Sequence, residues 1–309
     1  MEQLETCLSC HSSQLTSVQQ TQAMMHPSEE VFNFDQCENC GLVFLNPRVP
    51  QMELGKYYTD FYLPYRGDAA WGKYEKWVAS SQKKVDQKRT KMVSTYANIH
   101  AQSTILDVGC GKPTFLQLLY EKYGCVCIGT DFSDEGWKNN SDKFSNLELL
   151  IGDLHDLTIP ARPDVVTMWH YLEHDYDPAK TLQKIKTIAR PNTKLVIEVP
   201  NFDSTSRKKY GAHWSGFHTP RHTVLFTPAT IKILLEKNGW EVEQSFTYGS
   251  LDPYILYWMS EQEKKNLDWS KSMESEFVGF VKGMIQFFPK AWLQRKKSLG
   301  FMTVVARPK

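Results

Sequence analysis

The sequence predicts an α/β protein: a parallel sheet with helices on both faces, an amino-terminal metal-bound ribbon, and a helical insertion before the last strand. Three observations carry this expectation. Short apolar runs alternate with amphipathic stretches from Ile105 to Val199, the pattern of strands joined by helical crossovers. The first of those runs is followed at once by Gly109-Cys110-Gly111, a strand-to-helix turn of the kind that lets a small ligand approach the backbone. Two Cys-x-x-Cys units, Cys7–Cys10 and Cys37–Cys40, stand near the start of the chain.

The composition narrows the function classes. With 309 residues, the chain can hold one large core and a smaller accessory unit. Its 36 basic and 35 acidic residues nearly cancel, which supplies no general attraction to nucleic acid. No apolar run reaches membrane-spanning length. The polar first 30 residues do not follow the pattern of a secretory signal. Seven cysteines, four of them in close pairs, favour metal binding in a reducing compartment over a disulfide framework. The expected location is cytoplasmic, as a monomer or homodimer.

Residues 1–50 form the predicted ribbon. Four thiolates in two knuckles can surround a tetrahedral ion, so Cys7, Cys10, Cys37 and Cys40 are assigned to structural zinc, with iron also compatible. Gly41 suits the turn after the second knuckle, and Leu42–Leu45 reads as a strand leaving it. The polar stretch Gln14–Glu30 is expected to be a loop closed at both ends by the metal. The unit is either a stapled appendage or a cover for part of a substrate cleft.

Residues 51–98 are an aromatic linker with lead-in helices. Gln51–Tyr58 reads as a short helix. The aromatics from Tyr57 to Trp77 are expected to pack one part of the chain onto another, or to form the lid of a pocket. Lys73–His100 has helical spacing, with Trp77, Val85, Met92 and Tyr96 on one face and a lysine-rich solvated face opposite.

The core unit, 99–309, begins with the strand Ile105–Val108 and the helix Phe115–Tyr123. Further strands are read at Cys125–Thr130, Leu147–Leu150, Pro163–Trp169 and Lys194–Val199, with a helix over Pro178–Ala189. Asp131 ends the second strand, where a carboxylate can bind vicinal ribose hydroxyls or cap a helix. Pro228–Lys237 reads as a helix stopped by Asn238-Gly239, followed by strands at Trp240–Thr247 and Phe301–Ala306. The interval 248–299 is too long for an unstructured loop and contains two helical patterns. It is a cap, a dimer surface or a shallow membrane contact, the last from Phe280–Trp292 beside Lys282, Lys290 and Arg295–Lys297, with packing of these residues on the core the preferred expectation.

At Asp107-Val108-Gly109-Cys110-Gly111, Asp131, Gly152-Asp153, Trp169–His174 and Ile197–Asn201 the chain resembles class I S-adenosylmethionine-dependent methyltransferases. The cysteine-bearing opening is similar to a branch in which a zinc module precedes that domain. The resemblance implies a Rossmann-like sheet of seven strands in the order 3-2-1-4-5-7-6, the last antiparallel. It implies that Gly109 and Gly111 pass beneath the methionine part of S-adenosylmethionine, that Asp107 helps hold its amino end, and that Asp131 takes the ribose hydroxyls. Asp153 and Leu154 would lie by the adenine, and Trp169 and His170 would border the transfer cleft. Pro113 stands where the family often has a third glycine, and proline is acceptable at a first helical turn. A nicotinamide dinucleotide would share the early glycines and Asp131. Glu173-His174 and the late antiparallel pair favour the methyl donor.

Methyl transfer needs an aligned nucleophile and in some cases a base. Histidines follow the fourth and fifth strands, so His170, His174, His213 and His218 are the candidate bases. Glu173 or His222 serve equally well as cap or loop-orienting groups, and several of these histidines with Glu173 could bind a second metal. Tyr210 and Trp214 are candidates for the acceptor pocket. Arg207–Lys209 and Arg221 favour an anionic acceptor. The expected acceptor is a small molecule, sugar-like, polyketide-like or quinone-like, methylated on oxygen or carbon. A protein or RNA modifier, or an inactive interaction protein on the same scaffold, are the alternatives.

Overall fold

The stretch expected as a polar loop between the metal ligands is mostly a hairpin. The structure, a computed structural model, describes residues 1–294 and 297–309. Leu15–Gln22 (β1) pairs antiparallel with Val31–Cys37 (β2), which pairs with Val43–Leu45 (β3). Strand pairing satisfies backbone groups whatever the side chains are. An exposed, polar β1 therefore gives no apolar alternation to read. β3 is wholly buried, because its outer edge is covered by a two-residue strand from far along the chain, Val224–Leu225. Further hydrogen bonds join the ribbon to the same loop: Thr21 Oγ1 to the Ala212 carbonyl (3.0 Å), Met24 N to Thr219 O (2.9 Å) and Leu45 N to Thr223 O (2.9 Å).

From Pro50 the chain makes a short 3-10 helix, Gln51–Tyr57, then the single turn Leu63–Arg66 (α1) and the long helix Glu75–Tyr96 (α2). The fully buried residues of α2 are Asp86, Thr90 and Val93; of the face expected from the sequence, Met92 and Tyr96 pack half-buried against the same core cluster as Val93, and Trp77 does not. Trp77 is 64% exposed, with its ring in an edge contact with Phe277.

The sheet follows from strands that bury both faces. Thr104–Val108 (β4) is buried at all five positions, as is Val165–Trp169 (β7), typical of central parallel strands. In chain order the elements are β4, Thr114–Tyr123 (α3), Val126–Asp131 (β5), Glu148–Ile151 (β6), β7, Pro178–Ile188 (α4), Lys194–Pro200 (β8), Thr205–Tyr210 (α5), Val224–Leu225 (β9), Pro228–Lys237 (α6), Trp240–Phe246 (β10), Tyr254–Lys264 (α7), Phe277–Leu293 (α8) and Phe301–Pro308 (β11). The strands lie in the order β6-β5-β4-β7-β8-β11-β10. β6 to β8 are parallel, while β11 is antiparallel to both its neighbours. Counting these seven strands in sequence, this is the 3-2-1-4-5-7-6 arrangement that the resemblance implied.

Alternation along each strand sorts residues onto the two faces. Leu106, Val166, Leu195 and Ile197 pack with Leu182 and Ile185 of α4 and Ile231 and Leu234 of α6. Ile105, Val165, Val196 and Val305 pack with Val93 of α2 and Phe115, Leu116 and Leu119 of α3. Each such side chain contributes about 1.5–3 kcal/mol by leaving water. α6 is set by a Thr227–Thr230 capping box with Pro228 at its first turn.

The late insertion forms its own cluster with the aromatic linker. Trp71 packs against Trp258, and the rings of Tyr74 and Phe277 stack at 3.9 Å. The insertion is thus a brace on residues 62–77, while Val278, Ile285 and Phe288 of α8 remain exposed. Of the basic group expected at Arg295–Lys297, Arg295 and Lys296 lie outside the described residues. Among the described residues no helix is long and apolar enough to cross a membrane.

Candidate active site

At the carboxyl end of β4 the chain turns through Gly109 and Gly111, both with positive φ (+70° and +50°), a region that favours glycine. A Cβ on Gly109 would also lie 2.5 Å from Tyr171 Cδ2. The amides of Gly109 and Cys110 donate to the Thr130 carbonyl at 2.8 and 3.0 Å. Asp131, at the end of β5, accepts from Gly111 N at 2.9 Å through Oδ2 and from Ser133 N at 3.2 Å through Oδ1. The carboxylate therefore holds the glycine turn and starts the next segment at once. Burial pushes its pKa up, against these amide bonds.

In front of this turn is a cavity of about 710 Å³. Its lining brings together Gly109, Asp131, Asp153, Leu154, His170 and His174 from the ends of four strands. The linker closes it: Tyr58 and Tyr62 line it, and Gln51 Nε2 donates to Asp153 Oδ2 at 3.3 Å. The cavity thus lies outside the carboxyl ends of the parallel strands, between β4 and β7 on one side and β5 and β6 on the other. Asp107 and Trp169 stand behind this lining. Asp107 is buried and accepts from Thr167 Oγ1 at 2.6 Å, and burial pushes its pKa up to about 7. Trp169 is packed between Phe115 and the Arg89 guanidinium.

His170 has a left-handed backbone (φ +58°), a strained conformation for a non-glycine residue. It is held by its own N–H on Glu198 O (2.8 Å) and by its ring. Nδ1 faces Glu173 Oε1 at 3.3 Å, and Nε2 faces Glu198 Oε1 at 3.0 Å. Burial opposes a charge on this ring, yet the two carboxylates outweigh it and carry its pKa up to about 9. Burial would likewise raise Glu198, but His170 and Ser250 hold it down to about 2. With both nitrogens donating, His170 presents a positive charge and no lone pair.

His174 is different. Nδ1 lies 3.1 Å from the Arg221 carbonyl, so it must donate there, and burial lowers its pKa. Its neutral ring carries the lone pair on Nε2. His218 is packed against Tyr62 and His222, outside the cavity lining. His213 is exposed and borders a separate hollow formed by residues 20–29 and 263–269. Trp214 is fully buried, its Nε1 donating to Ser206 Oγ, and Tyr210 faces another hollow beside Tyr257. Neither Trp214 nor Tyr210 lines the cavity. Arg221 is also interior: its guanidinium donates to the Tyr57 and Met24 carbonyls and lies 4.0 Å over the Tyr62 ring. Lys180 is the one lysine or arginine among the described residues lining the cavity.

The sequence does not single out Glu198 or Tyr171 as site residues, and it offers His222 only as a loop-orienting group or as one of several histidines that could bind a second metal with Glu173. The signal for His222 was present in Pro220-Arg221-His222, but its place beside His174, ring centroids 4.5 Å apart, depends on tertiary packing.

At the ribbon, the four cysteine sulfurs lie within 4.8 Å of one another. Cys7–Cys40 and Cys10–Cys37 are 3.5 and 3.4 Å apart. A tetrahedron with zinc–sulfur bonds of about 2.3 Å has edges near 3.8 Å. The donor set therefore fits a soft tetrahedral ion.

A family profile described as a methyltransferase domain matches residues 79–245, more than half of the chain. A Mycolicibacterium smegmatis protein named "Probable S-adenosylmethionine-dependent methyltransferase" is 26% identical over 142 residues, 46% of this chain and 53% of that protein. An uncharacterized 37.1 kDa protein of a Streptomyces fradiae transposon is 35% identical over 111 residues, 32% of this chain and 30% of that one. The chain thus spans about half or less of the length of these relatives. Among solved structures, the cyclase SpnF superposes with a TM-score of 0.51 at 15% identity, over 72% of this chain and 80% of that one. The Haloferax volcanii complex containing the Trm112 methyltransferase activator gives 0.51 at 17%, over 77% and 97%. Those two likenesses concern the fold. The profile match, over a sheet of the implied order and the cavity at its carboxyl edge, shows that the chain belongs to the methyltransferase-domain family.

Proposed function

We propose that this chain transfers a methyl group from S-adenosylmethionine to an oxygen or carbon of a small-molecule acceptor. The observation that carries the reading is the single cavity shared by the Gly109 turn, Asp131 and Asp153 with His170 and His174; the reading sets the donor against the first three and the acceptor, at the far end, against the two histidines. The cavity volume of about 710 Å³ is in the range of small-molecule sites, about 300–1,000 Å³. When bound, the donor supplies an electrophilic methyl on a sulfonium. Asp131 accepts hydrogen bonds from ribose hydroxyls, and Asp153 with Leu154 flanks the base. Asp107 acts from behind the lining, through the strand end it helps to fix.

The residues around the far end orient the acceptor and keep water out. Tyr58 and Tyr62 close the cavity from the linker. His170, with both ring nitrogens engaged by Glu173 and Glu198, fixes this part of the wall and is not the base. The acceptor's proton leaves towards the His174 end, where the neutral ring stands. Zinc at Cys7, Cys10, Cys37 and Cys40 is a structural part of this proposal: it fixes the ribbon from which residues 51–62 enter the roof.

The name of the cyclase neighbour shows that this fold can serve other chemistry, so the test must read transfer itself. Calorimetric titration of the zinc-loaded protein with S-adenosylmethionine should show saturable binding at one site per chain. Turnover with methyl-labelled donor and a panel of phenols, sugars and activated carbon acids then identifies the acceptor. Absence of saturable donor binding would overturn the proposal.

A further inference from the structure

We propose that Glu173, His174 and His222 form a second metal site, one that holds a divalent transition-metal ion at the wall of the cavity. A ring nitrogen of each histidine and a carboxylate oxygen of Glu173 lie within 4.8 Å of one another. Glu173 and His174 are neighbours in the turn after β7, and His222 is brought to them from the loop before β9 by the tertiary fold.

The hydrogen bonding around the three is what a metal site needs. His174 Nδ1 is tied to the Arg221 carbonyl at 3.1 Å, and His222 Nδ1 to the Gly216 carbonyl at 2.8 Å. A carbonyl can only accept, so each ring has its lone pair on Nε2. Metal-binding histidines are typically oriented in this way, through the nitrogen that does not bind. Glu173 divides its two oxygens. Oε1 faces His170, while Oε2 is buried without a partner among the described residues. A buried carboxylate oxygen left bare costs about 1–3 kcal/mol or more, and a cation would remove that cost. His218 adds a second orphan: its ring centroid is 4.6 Å from that of His222, and its Nε2 is also buried and unpaired among the described residues. The neighbouring Arg221 guanidinium is engaged by two carbonyls and the Tyr62 face.

Two imidazoles and one carboxylate leave coordination positions open, the arrangement of catalytic rather than structural metal sites. His174 and Tyr58 line the cavity, while Glu173 and His222 lie buried behind the lining, so His174 is the ligand through which the site borders the cavity. This deepens the proposed function and rests on it for the acceptor's position: an acceptor hydroxyl that approached the ion would lose its proton more readily, to solvent water rather than to His174, and its oxygen would take the methyl as the sulfonium C–S bond breaks. His174 then acts as a ligand to the ion. The metal site itself stands on the side-chain geometry and does not require methyl transfer.

Cobalt(II) separates the two sites. Protein stripped of metal with a chelator under a non-coordinating reductant should bind two cobalt ions per chain. One should give the near-ultraviolet sulfur-to-cobalt charge-transfer band of the four-cysteine site. The other should give only visible d–d bands. His222→Gln should abolish the second set and retain the first, and Glu173→Gln should weaken the second by roughly tenfold or more. Cys37→Ser should do the reverse, removing the sulfur band alone. The proposal is overturned if wild-type protein binds only the sulfur-ligated ion, or if the second bands survive in folded His222→Gln. If that variant does not fold, the wild-type stoichiometry and spectrum still decide. Donor binding is read separately by calorimetry, so its failure would sink the methyl-transfer reading and leave the cobalt result standing.

Discussion

Thr167 Oγ1 donates a 2.6 Å hydrogen bond to Asp107 Oδ1 between directly paired positions of the neighbouring strands β7 and β4. This bond holds a carboxyl group in the middle of the sheet. Burial dominates all the same and pushes its pKa up to about 7. The folded state therefore keeps a proton that the unfolded chain, near its ordinary carboxylate value, has lost. The stability that this proton contributes is complete below about pH 4 and disappears as pH rises through about 7. Thermal melts across this window should show a shallower pH dependence for Asp107→Asn than for the native chain. Parallel curves would mean that Asp107 ionises as it does in water.

Asp131 supports the turn through Gly111 N and Ser133 N and is half open to the cavity. Asp131→Ala removes the acceptor for both amides and for any ligand hydroxyl. A hydrogen bond to a charged group contributes about 1.5–3 kcal/mol, so affinity for S-adenosylhomocysteine should fall roughly tenfold or more. Calorimetry measures it. An unchanged Kd would remove Asp131 from the donor site.

Gly109 has a positive φ and leaves 2.5 Å between an added Cβ and Tyr171 Cδ2. Gly109→Ala should cost about 1–2 kcal/mol from the backbone alone, plus the clash, and lower Tm by at least a few degrees. Adding Tyr171→Ala should recover the clash and not the backbone part. Full recovery in the double variant would show that the φ requirement is absent.

If the four cysteines hold an ion as proposed, the ribbon should depend on it. Cys37→Ser, or chelation under reducing conditions, should release that ion, lower Tm and open residues 1–50 to limited proteolysis. Donor affinity should fall as well, because Gln51 and Tyr58 enter the cavity from the end of this unit. A ribbon that stays protease-resistant without metal would show that β9 and the loop at 212–223 hold it unaided.

The strands and the site glycines were legible because their causes are local. Ile105–Val108, Lys194–Val199 and Pro228–Lys237 follow from apolar runs, periodicity and a capping position, and the two Cys-x-x-Cys units from ligand spacing. The α2 face was read wrongly at Trp77, because which residues of a helix stripe are buried depends on which elements of the fold pack along it. β1 was hidden because its stability comes from pairing with β2 and not from its own side chains.

By itself, then, the sequence determined the α/β sheet and its turn, the four-thiolate cluster and the group of histidines at one sheet edge. Only the tertiary structure decided which of those histidines matter to the cavity. It charged His170 between Glu173 and Glu198, turned His174 and His222 towards Glu173, and set His213 on another surface. It also buried Arg221 under Tyr62. The physical reason is range. Backbone periodicity and turn chemistry act over a few residues, whereas desolvation and pairing of these side chains also draw on segments from 28 residues away, as for His170 and Glu198, to 164 residues away, as for Arg221 and Tyr57.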